Sequence, residues 1–154
     1  MNEFERYVYE VLQKKYKSPE WIVLPQVRTQ TGYSIPTGGE RIIDFFIINT
    51  FPSKDFKCIA IEAKKTIDDY RTDRDNVRKQ LAARFYSDEF YYIFPAELFS
   101  KYERELLGDW KKLQDSGIMV INEGNIRKVK YCHGTKNPFP MGFICSLLRQ
   151  ALKY

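Results

Sequence analysis

The sequence predicts an α/β fold: a central mixed β-sheet flanked by helices, in one domain over residues 1–154. Three observations predict it. Short apolar runs of strand length alternate with stretches of helical periodicity. The first three such runs are joined by short connections, as in a meander, and the later ones are separated by helical segments. No internal repeat, low-complexity tract or Pro/Gly/Ser-rich linker divides the chain, and its length suits a single domain.

The elements follow in order. From about Glu3 to Tyr16, Phe4, Tyr7, Val8, Val11 and Leu12 recur at helical spacing, with Asn2 as N-cap and Glu3 and Glu5 where the helix dipole favours acids. Ser18-Pro19 ends this helix. Trp21 to Gln30 reads as a strand with a kink permitted at Pro25, and Gly32 with Pro36-Thr37-Gly38-Gly39 marks a loop. Arg41 to Asn49 and Phe56 to Lys64 are the second and third strands, with a turn around Pro52-Ser53. Asp68 to Tyr86 is a polar helix burying Tyr70, Val77, Leu81 and Phe85. Glu89 to Phe94 is an aromatic-rich strand. Ala96 to Asp115 is a helix with Leu98, Phe99, Tyr102, Leu106 and Leu113 on its apolar face. Ile118 to Ile121 and Ile126 to Tyr131 form a hairpin, and a helix from about Pro140 to Leu152 closes the domain.

Composition narrows the function classes. No run approaches the ~18 apolar residues of a membrane span, and the charged N-terminus MNEFERYVYE does not suit a signal peptide, so an intracellular, cytoplasmic protein is expected. Cys58, Cys132 and Cys145 are odd in number and far apart, which argues against a disulfide framework. A single histidine, His133, argues against structural zinc. The net charge of +5 favours a polyanionic partner such as nucleic acid. Gly38-Gly39-Glu40 lacks the lysine and helix of a P-loop.

Two strands carry residues that apolar packing does not explain. Ile42, Ile43, Phe45, Phe46, Ile47 and Ile48 make the second strand apolar on both faces, yet Asp44 sits among them. An unpaired buried carboxylate costs several kcal/mol, so Asp44 needs a cation, strong donors or a proton. Pairing with Arg41 or Arg28, or with backbone amides, is one solution. In the third strand, period-two alternation puts Ile59, Ile61 and Ala63 on one face, and Cys58, Ala60, Glu62 and Lys64 on the other. If the two strands are neighbours, Asp44 faces Glu62, and a divalent ion is the commonest way to keep both ionised. Hard oxygen ligands favour Mg²⁺ or Mn²⁺ over zinc.

Asp44, seventeen intervening residues and then Glu62-Ala63-Lys64, within an α-β-β-β-α-β order, resembles the PD-(D/E)XK nuclease superfamily and its restriction-endonuclease-like fold. The resemblance covers about residues 3–95, with residues 96–154 as an αββα elaboration. Ile43 stands where the family has proline. Other D-x-K strings, Asp55-Phe56-Lys57 and Asp109-Trp110-Lys111, do not end a buried strand after a buried aspartate. The resemblance implies a metal-dependent deoxyribonuclease in which Asp44, Glu62 and the Ala63 carbonyl ligate Mg²⁺ or Mn²⁺ and Lys64 positions the attacking water. It also implies an acid from the first helix, for which Glu3, Glu5 and Glu10 are candidates and Glu5, flanking the apolar stripe, is preferred; a solvated helix with dipole-favourable acids explains any one of them equally well. Gln80 resembles the glutamine of the Q-x-x-x-Y element, although Arg84 stands at the tyrosine position.

Arg71, Arg74 and Arg78 at i, i+3, i+7 and Lys65 after the motif are candidate phosphate contacts. A solvated face with helix ion pairs explains the arginines equally well. The expected substrate is DNA, cut by a homodimer resembling Holliday-junction resolvases or small repair and phage nucleases. An inactive nucleic-acid- or partner-binding module on the same fold and a restriction-type endonuclease are the alternatives.

Overall fold

A computed structural model describes residues 1–28, 42–76, 83–109, 116–134, 144, 147–148 and 150–152. The first helix, α1 (Glu3–Lys15), begins with a capping box: Asn2 Oδ1 accepts the Glu5 amide and Glu5 Oε2 accepts the Asn2 amide. Thirteen residues is a marginal length for a helix alone in water. Phe4, Val8, Val11 and Leu12 are buried against the sheet, and each such side chain contributes roughly 1.5–3 kcal/mol, which is what holds α1. Tyr7 departs from the predicted stripe. It is exposed, and its hydroxyl accepts the Gly124 amide at 2.8 Å, tying α1 to a distant hairpin turn.

Six strands form one mixed sheet in the order β1-β2-β3-β4-β5-β6: β1 (Trp21–Arg28), β2 (Ile42–Asn49), β3 (Cys58–Ala63), β4 (Glu89–Pro95), β5 (Gly117–Asn122) and β6 (Asn125–Lys130). The pairs β1/β2 and β2/β3 are antiparallel, as the predicted meander requires. The pairs β3/β4 and β4/β5 are parallel, their connections crossing over through helices, and β5/β6 is an antiparallel hairpin. Its turn places Glu123 at φ 49° and Gly124 at φ 76°, the paired left-handed geometry of a two-residue hairpin.

The alternation read in β3 separates the two cores. Ile59 and Ile61 pack under α1 with Phe45, Ile47 and Ile93. Cys58 and Ala60 pack on the other face with Phe46, Tyr92 and Phe94, covered by α2 (Ile67–Arg74), helical residues 83–86, α3 (Ala96–Lys101) and α4 (Glu103–Gly108). The sheet is therefore flanked by helices on both faces.

Several predicted bounds change. The helix predicted over Asp68–Tyr86 has Thr66 as its N-cap, and α2 closes at Asp75, whose amide reaches back to Arg71 and Asp73. Predicted core residues Val77 and Leu81 lie outside the described residues. The helix predicted from Ala96 to Asp115 is broken at Tyr102 (φ −119°, ψ 23°) into α3 and α4, and residues 110–115 lie outside the described set. The closing helix is seen in helical residues 144, 147–148 and 150–151. No helix among the described residues is long and apolar enough to cross a membrane.

The buried tyrosines make alkaline stability measurable. Burial, with Glu89 nearby, pushes Tyr16 up to about 12. Burial also raises Tyr70, beside Asp109, and Tyr91, beside Glu89. These phenols stay protonated in the fold at pH values where the unfolded chain ionises, near pH ~10. Their contribution is therefore complete below pH ~10 and is lost above it, at up to about 1.4 kcal/mol per pH unit for each tyrosine. Melting curves taken at rising pH should show stability falling from about pH 10, with phenolate absorbance appearing as the protein unfolds. Phenolate absorbance from all three in the folded protein at that pH would contradict this.

Candidate active site

The neighbouring strands β2 and β3 pair as far as Phe45↔Ile61, and the site lies where that ladder stops. On its other side β3 continues along β4 through Ala63↔Ile93, and the Lys64 amide donates to the Ile93 carbonyl at 3.0 Å. Successive residues of a strand present their amides to opposite neighbours, so the Ala63 amide faces β2. It donates to Asp44 Oδ2 at 2.9 Å. Asp44 thus occupies the fork between two strands and takes a backbone donor that the ladder leaves over. The Ala63 carbonyl, on the same side as its amide, faces β2 as well.

Glu62 is 3 % exposed, and the carboxyls of Asp44 and Glu62 are within hydrogen-bond reach of each other. Burial is the main reason that Asp44 is pushed above the usual carboxylate range. Glu5 adds repulsion, and the Ala63 amide, Lys64 and Glu62 oppose the rise. Lys64 stands two residues on, with Nζ 4.0 Å from Glu62 Oε2 and 2.8 Å from Asp73 Oδ2. Burial alone lowers Lys64, but Glu62, Asp73 and Asp44 together outweigh it and hold the ammonium above its ordinary range.

These groups open into a cavity of about 560 Å³. Of the residues singled out in the sequence, Asp44, Glu62, Ala63, Lys64, Lys65 and Glu5 all line it. Glu5 reaches it from the N-terminus of α1, one oxygen remaining in the capping box. Gln80 and Arg78 lie outside the described residues.

Arg71 and Arg74 are not brought to the cavity. Arg71 makes a two-pronged contact with Glu105 of α4 (2.8 and 2.7 Å), and Arg74 reaches Glu105 at 3.2 Å and Asp109 at 2.9 Å. Tyr70 also donates to Asp109, at 3.0 Å. The two arginines therefore clamp α2 to α4, as the ion-pair explanation of their spacing anticipates. Asp73 is the residue that the sequence reading missed. Ile67, Tyr70 and Asp73 are the buried positions of α2, so a carboxylate recurring at i+3 on an apolar stripe was the available signal. Cys132 and His133 follow β6 and line a separate cavity of about 80 Å³ with Arg84 and Glu89, at the opposite end of the strands.

The donor set fits a hard divalent ion. Among the described residues no three His, Cys, Asp or Glu side chains form a metal-holding group. Two carboxylates and a carbonyl nevertheless suffice for Mg²⁺, which commonly takes one or two protein carboxylates and completes its octahedron with water and phosphate oxygens. The described lining holds no cysteine or histidine, the donors that zinc prefers.

The fold is similar to the solved structure of the SPO1766 protein of unknown function from Silicibacter pomeroyi. The TM-score is 0.63 at 15% sequence identity, over 97% of this chain and 82% of that one. At this identity the likeness concerns the fold alone. No protein-family model matches the chain, and no curated protein matches it.

Proposed function

We propose that the protein is a metal-dependent nuclease of the PD-(D/E)XK type that hydrolyses DNA phosphodiester bonds. The observation that carries this reading is the fork: Asp44 and Glu62 held together at the end of two buried strands, with Lys64 beside them over an open cavity. Supporting it, α1, the β1–β2–β3 meander, α2 and parallel β4 follow the element order of a restriction-endonuclease-like core.

Asp44, Glu62 and the Ala63 carbonyl would hold Mg²⁺ or Mn²⁺, and the bound ion would neutralise charge developing on phosphoryl oxygens and acidify a water. Lys64 orients the attacking water by hydrogen bonding and adds positive charge at the phosphate. Lys65 and Arg28, which both line the cavity, would contact flanking phosphates. The Arg71–Arg74 ridge is not assigned that role, because both side chains engage α4. If both strands of a duplex or junction are cut, a homodimer with two such sites is the expected arrangement; a structure-specific substrate is the further part of the proposal.

Supercoiled plasmid, linear duplex and a synthetic four-way junction, each with Mg²⁺, Mn²⁺ or EDTA, test it with Lys64→Ala beside the wild type. The expected result is metal-dependent cleavage that Lys64→Ala reduces by about a hundredfold or more. The preferred substrate then distinguishes a junction enzyme from one that yields defined fragments by reading sequence. Metal-independent DNA binding with no cleavage of any substrate would overturn the reading in favour of a binding module.

A further inference from the structure

We infer that Asp73 is a positioning residue whose task is to hold the Lys64 ammonium back from contact with Glu62, so that the lysine does not compete there with a divalent ion. This inference rests on the metal-site reading given above.

A lysine two residues from a metal-binding carboxylate is a competitor as well as a helper. Its ammonium is a compact charge on a flexible stem. Were it to settle on Glu62 at contact distance, it would occupy the position that a cation must take. The structure has it elsewhere: 2.8 Å from Asp73 Oδ2 and 4.0 Å from Glu62 Oε2. The ammonium stays close enough to act at the cavity but is drawn to Asp73 rather than into contact with Glu62.

Asp73 can do this because it is held itself. It is 2 % exposed and projects from the sheet-facing side of α2, one turn after Tyr70. That helix is fixed to α4 by the two-pronged Arg71–Glu105 contact, by Arg74–Asp109 and by the Tyr70 hydroxyl, while Arg71 lies over the Tyr102 ring, its guanidinium carbon 5.5 Å from the centroid. The clamp makes the carboxylate a fixed post. For stability alone, a buried ion pair of this kind is often no better than apolar residues of the same volume, so its placement against the cavity points to a local role.

Direct Mn²⁺ titration of the wild type, Asp73→Asn, Lys64→Ala and the double variant tests the inference, with thermal melts confirming that each is folded. Asparagine keeps the size of Asp73 and removes its charge. The expected result is that Asp73→Asn weakens Mn²⁺ binding by about tenfold, the scale of an outer-sphere partner, while the same change made in Lys64→Ala weakens it by less than twofold. An equal loss in both backgrounds would mean that Asp73 acts by charge alone, and unchanged affinity in Asp73→Asn would mean that it does not act; either overturns the inference. If the wild type binds Mn²⁺ with this variant pattern yet cuts no DNA, the nuclease reading falls and the role of Asp73 stands. If the wild type binds no Mn²⁺, both fall.

Discussion

Replacing Asp44 with asparagine is expected to abolish metal-dependent cleavage and at the same time to stabilise the metal-free protein. The two effects share one cause. Asp44 sits at the strand fork among apolar neighbours, where burial first and Glu5 second favour its protonated form. A carboxyl whose folded pKa lies above its unfolded value penalises folding once it ionises. The penalty is absent below the unfolded value, grows as pH rises through the window between the two, and is complete above the folded one. Asparagine removes that penalty and keeps an oxygen for the Ala63 amide that Asp44 accepts at 2.9 Å. In a chain of this length each kcal/mol gained raises Tm by about 2–4 °C. Cleavage should fall about a thousandfold or more, since a correctly held ion supplies several kcal/mol of transition-state charge stabilisation. Melts of the two proteins near neutral pH, with and without Mg²⁺, check both parts. Mg²⁺ should raise the wild-type Tm and leave that of Asp44→Asn unmoved. A destabilised, Mg²⁺-indifferent Asp44→Asn protein would show that Asp44 is a structural pairing residue.

Substituting alanine for Gly117 is expected to have the largest effect on the fold itself, a loss of about 3 kcal/mol, the upper range for overpacking a buried site. Gly117 opens β5 directly beside Tyr91 of β4. A Cβ there would run into the Tyr91 ring and come within 2.8 Å of the Lys130 carbonyl. Tyr91 cannot easily yield: it is fully buried, and its hydroxyl donates to Glu89 at 2.7 Å and accepts the Cys132 amide at 3.4 Å. Against a total stability of about 5–15 kcal/mol, such a loss is severe. Urea unfolding of Gly117→Ala, of Tyr91→Leu and of Gly117→Ala/Tyr91→Leu measures it. Measured against Tyr91→Leu alone, Gly117→Ala should cost less than it does in the wild type, because the smaller side chain removes the clash. A Gly117→Ala protein as stable as wild type would contradict this packing.

How far the sequence could be read depends on whether the signal was local. The Asn2 N-cap of α1 and the alternation of β3 lie within a few residues each, and both appear in the structure as expected; the reciprocal Glu5 contact that completes a capping box is an addition. The cavity residues Asp44, Glu62 and Lys64 were legible because charge in an apolar strand conflicts with burial, and only a specific environment resolves the conflict. The partners of Arg71 and Arg74 were not legible, because their spacing shows which side chains share a helix face, but not what that face meets; α4, some thirty residues on, supplies them. Tyr7 satisfied the helical period and nonetheless turns to the Gly124 amide, a partner 117 residues away in the chain. Asp73 stands in a charged stretch that masks it, although its position three residues after buried Tyr70 marks it. The break at Tyr102 had no Gly or Pro to announce it.

The nicking rate of supercoiled plasmid as a function of Mg²⁺ concentration, with Glu62→Gln measured beside the wild type, tests the central claim most directly. Glutamine preserves the shape of a residue that is 3 % exposed and removes one of the two carboxylates that define the site. The site described here predicts nicking that saturates with Mg²⁺, stops in EDTA and is lost in a folded Glu62→Gln protein. Nicking that persists in EDTA or survives in Glu62→Gln, or a wild type that leaves the plasmid intact at every Mg²⁺ concentration, would contradict it.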